Sequence, residues 1–383
     1  MTGVNRTGLS MQTARNARRI GRVAVSLGAL MAVSLASSAA MAGETRAYVI
    51  SWFYPSVSAE GNEKDCPQGN NPDAATNVMR ILKEQGKTPA EVEKLMEDFP
   101  HSIYMPLAMR GRIDGKPVSP YVNPTSVPDP MLKTVLGKQA LGFNLDGKET
   151  TGGFIDPTTG EKGVDNQLFR AYGCTGVMRA EPNARPTWTT IQWQTVQLQM
   201  PAWLIEVSGI DDMKNDPDVE VRVVQATRPV ILDANSEPQA DMTFVEDNNP
   251  ITKSKARGSI KNGVLTTDAF NLALNGHRWA WSELRFRDAR IRLSFADDGK
   301  AKGIIGGYHK WMPLYLPQAE GGAGYEGMLS MDLPGMYYAF RKLADSDPDP
   351  KTGLNTAIST AFSVEAVPAF IERGSAKTAA VAK

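Results

Sequence analysis

Leu284-Arg285-Phe286-Arg287-Asp288-Ala289-Arg290-Ile291-Arg292-Leu293-Ser294-Phe295 is the stretch on which the fold class turns. Apolar and polar residues alternate with the period of two that a strand shows when one face is buried and the other is not. The alternation slips once. Leu284 and Phe286 share one register, whereas Ala289, Ile291, Leu293 and Phe295 share the next. A one-residue offset turns every later side chain over, so a β-bulge near the slip is needed to keep all six on one face. Arg285, Arg287, Arg290 and Arg292 then line the opposite face.

The same period extends outward. Val219, Val221 and Val223 alternate with Glu220 and Arg222, and Asn262-Gly263, Asn275-Gly276 and Asp298-Gly299 each sit between strand-like residues. Such dipeptides suit the positive φ of tight hairpin turns. Upstream, Ile191 and Trp193 share one parity, and Val196, Leu198 and Met200 the other, so the strand pattern is read from Thr187 with a bulge near Thr195. An antiparallel meander over 187–316 is expected, in a mainly β (α+β) protein built as a β-sandwich or partly closed barrel.

The flanks are of other kinds. Arg46 to Tyr54 reads as a strand with Tyr48, Ile50 and Trp52 on one side. Asn71-Pro72-Asp73 starts a helix that Gly86 stops, and Thr88-Pro89-Ala90-Glu91 is a capping box that opens a second. This helical hairpin is followed by a Gly-, Pro- and Asp-rich region up to Pro186, so 43–186 forms one segment. The segment 317–372 is expected to pack helically on the β core, with Leu333 to Leu343 a helix and Asn355 to Phe370 helical and then extended. Residues 373–383 read as a disordered tail. Asp156-Pro-Thr-Thr-Gly160 and Asp349-Pro-Lys-Thr-Gly353 share a tight-turn pattern, with Pro presetting φ and Gly taking the positive-φ position.

At the N-terminus, Arg15, Arg18, Arg19 and Arg22 precede an uncharged run that ends in Ala40-Met41-Ala42. Basic start, apolar middle and small residues at the cut are the layout of a secretory signal peptide over 1–42. Cleavage near Ala42 into the periplasm or the medium is expected, and the Arg18-Arg19 pair admits the twin-arginine route as well as the general one. No later apolar run approaches spanning length, so no stable membrane span is expected in the mature chain. Cys66 and Cys174 are the two cysteines, an even pair that an oxidising compartment joins as a disulfide. A loop of that length closed by a disulfide is stabilised by roughly 2–4 kcal/mol. The 383 residues carry no net charge, and losing five leader arginines makes the rest mildly acidic, which argues against nucleic acid as a partner.

Four constellations could bind something. Asp146, Asp156, Glu161, Asp165 and Asn166 crowd oxygen donors into glycine-containing loops, as calcium requires. Arg285, Arg287, Arg290 and Arg292 could hold carboxylates or phosphates in a two-pronged way. Trp279, Trp281, Tyr308 and Trp311 could form an aromatic platform for a planar ligand. His309 and Met312, with Met328, Met331 and Met336, have the soft donors that copper prefers. Recognised catalytic motifs are missing, and His309, Asp165 and Glu161 are the titratable candidates should catalysis occur. The expected role is therefore binding or structural, in the cell envelope, toward an unidentified ligand or envelope protein, with calcium-stabilised loops. The alternatives are an envelope hydrolase or lyase acting on a glycan, and a partner subunit of an exported complex.

Overall fold

In the 284–295 stretch, Asp288 takes φ 51° and the pairing with the next strand shifts between Arg287 and Arg290, which is the bulge the parity slip requires. Leu284, Phe286, Ala289, Ile291 and Leu293 are all buried as a result. The computed structural model describes residues 43–56, 60–150, 153–180 and 184–373. The expected leader, and the tail from Gly374, lie outside the described residues.

In chain order the strands of the main sheet are β1 (Glu44–Pro55), β2 (Trp203–Ile210), β3 (Asn215–Gln225), β4 (Met242–Val245), β5 (Ser254–Lys261), β6 (Val264–Thr267), β7 (Phe270–Asn275), β8 (Glu283–Phe295), β9 (Ala301–Lys310), β10 (Ser346–Pro348) and β11 (Asn355–Glu372). Neighbours run β1-β2-β3-β5-β6-β8-β9-β11, all antiparallel, and β11 returns to pair with β1. The sheet therefore closes into an eight-stranded barrel. β7 pairs beside β6 along the first half of β8, and β4 adds in parallel to the end of β11.

The interior is filled, as barrels of this strand number are. Phe53 stacks on Phe362 with ring centroids 4.6 Å apart and meets Trp203 and Trp281 edge-on. Helix α4 (Thr187–Val196) stops one mouth, where Trp193 packs on Phe53 and Trp203 and donates its indole N–H to the carbonyl of Ser51 at 2.6 Å. The strand expected there is corrected to a helix. Its residues are β-formers by propensity, but the helical spacing of Trp188, Trp193 and Val196 places all three against the barrel while Ile191 and Leu198 stay exposed.

Three further expectations change. Asn355 to Glu372 is a single strand throughout, with no helical start. β1 contains a bulge between Ile50 and Trp52, so Phe53 joins Tyr48 and Ile50 inside and Trp52 turns out to bond Glu237. Asn275-Gly276 starts a longer connection, with Gly276 N–H bonded to Ser282 O, whereas Asn262-Gly263 and Asp298-Gly299 do make tight hairpins.

The helical layer draws on two parts of the chain. α1 (Ala74–Glu84) is capped by Asp73 and α2 (Pro89–Met96) by the reciprocal Thr88–Glu91 box. α3 is Gln167–Tyr172, and after β9 come α5 (Trp311–Glu320), α6 (Gly322–Leu329) and α7 (Leu333–Leu343). Arg80 of α1 reaches Asp332, the N-cap of α7, at 3.0 Å. Arg110 grips the fully buried Glu326 of α6 with two hydrogen bonds of 2.6 and 2.7 Å, and burial holds that carboxyl above its ordinary range. Cys66 and Cys174 are joined in a disulfide that ties the first helices to α3. Among the described residues no helix is long and apolar enough to cross a membrane.

Candidate functional site

Two of the sequence constellations meet. Residues 137–150 and 153–166 lie as a strap across the outer wall of β8, β9 and β11, where Phe143 and Leu145 pack on Ile304, Tyr308 and Ala357. Gly306 of β9 permits this, since a Cβ there would stand 2.7 Å from the Phe143 ring. Arg290 and Arg292 of β8 bond this strap, and the expected calcium loop supplies Asp156 and Glu161 as partners of Arg292.

Arg292 is the most fully engaged. It bonds Asp156 at 2.8 Å, Glu161 at 3.2 Å and the carbonyl of Gly142 at 2.9 Å, with its guanidinium 4.8 Å from the centre of the Phe143 ring. Asp156 is wholly buried, and its other oxygen accepts from Thr158 N and Thr159 N in the expected Asp-Pro turn, with Gly160 at φ 75°. Asp349 makes the same turn with Lys351 N and Thr352 N. Arg287 is tied to Asp288, Asp347 and Ser346, and Arg285 to Glu283, Asn275 and the carbonyl of Leu274.

Arg290 differs. Its hydrogen bond goes to the carbonyl of Asn144 at 2.6 Å, and among the described residues no carboxylate pairs with it. It lines an open groove of about 480 Å³, together with Arg292, Thr159, Glu161, Thr266 and Asp268. Thr266 faces Arg292 in the β6–β8 register, and Asp268 follows in the turn toward β7. The groove is thus built by the strap, a hairpin turn and the bulged strand.

The remaining sequence candidates have their oxygens or rings committed elsewhere. Asp165 accepts from Leu145 N and Asp146 N, Asn166 caps α3 through Phe169 N, and Asp146 accepts from Lys148 N. Among the described residues no three His, Cys, Asp or Glu side chains converge as a metal would need. Burial pushes the Asp165 carboxyl up to about 6 against the two N–H bonds, and the charges of Asp146 and Asp345 add to the rise. Trp281, Tyr308 and Trp311 are buried while Trp279 is half exposed, so the four share no exposed face. Both ring nitrogens of His309 lie against carbonyl oxygens, of Lys310 at 2.6 Å and of Glu283 at 3.2 Å, which leaves none turned toward a metal or substrate. Met331 and Met336 fill the core, and the Met328 side chain lies outside the described residues.

No known family, curated protein or solved structure matches this chain. Arg290 and Arg292 belong to the arginine row singled out in the sequence, and Glu161 to the acidic loop. Thr159, Thr266 and Asp268 do not stand out in the sequence: Thr159 comes from a turn of the strap far upstream of β8, Thr266 from strand β6 and Asp268 from the connection between β6 and β7. The signal that could have found Thr266 was its own place in a hairpin strand beside the arginine row.

Proposed function

We propose that this chain is an extracytoplasmic binding protein of the cell envelope that holds an anionic ligand in the groove beside Arg290. The observation that carries the reading is the contrast within one row. Arg285, Arg287 and Arg292 each have a carboxylate partner, whereas among the described residues Arg290, half-buried at the groove, has only a carbonyl. A guanidinium offers five N–H donors in a rigid fork, and one carbonyl leaves most of them for a carboxylate or phosphate. A groove of about 480 Å³ is within the range of small-molecule sites. The envelope location rests on the basic, apolar and small-residue layout of residues 1–42.

The test is ligand-dependent thermal stability of the protein from Gly43 onward, since a ligand that binds only the native state raises the melting temperature. Carboxylates and phosphates are expected to raise it and neutral sugars to leave it unchanged, with Arg290→Ala abolishing the response. An equal response from the Arg290→Ala protein would overturn the reading.

A further inference from the structure

We infer that the ligand of this groove is a hydroxylated monocarboxylic acid of the sugar-acid class, a uronate unit, rather than a phosphate. The inference rests on the anion-binding reading and narrows it through the other residues of the groove.

The first argument is charge. Arg292 is already neutralised by Asp156 and Glu161, which leaves Arg290 as the one guanidinium of the β8 row free to take an anion among the described residues. Glu161 and Asp268 line the same groove. One unpaired cation suits one negative charge, and a dianion held at Arg290 would be repelled by both carboxylates. Phosphate is the poorer fit.

The second argument is hydrogen-bonding chemistry. Ionised carboxylates accept only, so Glu161 and Asp268 ask for donors. Each Glu161 oxygen takes one bond, from Asn144 N at 3.1 Å or Arg292 at 3.2 Å, and each keeps a second lone pair. Asp268 is exposed, and its carboxylate bonds no described side chain or backbone group. A ligand with a single carboxylate and several neutral hydroxyls satisfies the whole set. Its carboxylate meets Arg290, its hydroxyls donate to Asp268 and Glu161, and the Thr159 and Thr266 hydroxyls donate or accept as needed.

The experiment is titration calorimetry of the protein from Gly43 onward with glucuronate, galacturonate, glucose, acetate and inorganic phosphate. It is run on the wild type, Arg290→Ala and Asp268→Asn. A uronate is expected to bind at least about tenfold more tightly than glucose or acetate, because both the charge and the hydroxyls are then used. Asp268→Asn is expected to lower the uronate-to-acetate affinity ratio by about tenfold, because the hydroxyl acceptor is weakened, and to strengthen acetate slightly and phosphate more, because a nearby negative charge is removed. Phosphate binding as tightly as uronate, or a uronate-to-acetate ratio unmoved by Asp268→Asn, would overturn the ligand class while the anion site stood. Failure of every anion to bind the wild type would overturn both. Asp268 lies on an exposed turn, so its variant tests the site without testing the fold.

Discussion

On β8, the inward side chains Phe286, Ile291 and Leu293 and the outward arginines are set only one residue apart, yet they are held by different physics. Inside, stabilisation comes from apolar burial, which has no direction and is lost in proportion to the volume removed. Outside, each guanidinium is held by particular oxygens, and what matters is whether every charge has a partner. Among the described residues the inner face is filled by apolar side chains, whereas on the outer face Arg290 is the one guanidinium of the row with no carboxylate partner.

The largest effect is expected inside the barrel. Phe362→Ala removes the ring that stacks on Phe53 and meets Trp281 and Phe286, and it should cost about 3–5 kcal/mol in denaturant unfolding. A cost under about 1 kcal/mol would mean that the barrel interior is loosely packed. On the outer wall, Arg292→Ala strands the wholly buried Asp156 and should cost about 3 kcal/mol. Adding Asp156→Asn should restore part of that loss, and no recovery would show that the ion pair is not what docks the strap.

A smaller effect depends on pH. The folded Asp165 carboxyl titrates near 6, above its unfolded value, so its neutral form stabilises the fold, and that contribution falls as pH rises through about 6. Asp165→Asn keeps an oxygen for Leu145 N and Asp146 N but carries no charge. Its stability relative to wild type should rise between pH 4 and pH 7 by on the order of 1–2 kcal/mol after solvent screening. A difference that is flat with pH would place the titration elsewhere. Arg290→Ala should change stability by less than about 0.5 kcal/mol, because among the described residues Arg290 bonds only a carbonyl of the strap. A large loss would make it a structural residue and weaken the binding reading.

Much of the barrel was legible because its strands have one wet face. The bulge at Asp288 shows in the parity of Leu284 to Phe295, and the disulfide follows from Cys66 and Cys174 being an even pair with no other cysteine in the sequence. Thr187–Val196 reads as a strand because Thr, Trp, Ile and Val favour strands, and only the open barrel mouth that α4 fills turns them into a helix. Asn355–Glu372 was misread for the opposite reason. Buried largely on both sides, it shows little of the alternation that marks a half-wet strand. The arginines of the site were visible as a row, but which of them lacked a partner was not. That depends on the strap, whose Asp156 and Glu161 are more than a hundred residues from Arg292.

The closure of the barrel by β1 and β11 has a consequence for the order of events in folding. Ala47 pairs with Ala369 and Phe53 with Val364, so the seam joins residues more than 300 positions apart. Contacts at such separation form only after the loop entropy between them has been overcome, which slows folding and places closure late. Until the last strand arrives, β1 lacks one neighbour and the aromatic interior lacks Phe362. The barrel therefore cannot close before Asn355–Glu372 has been made.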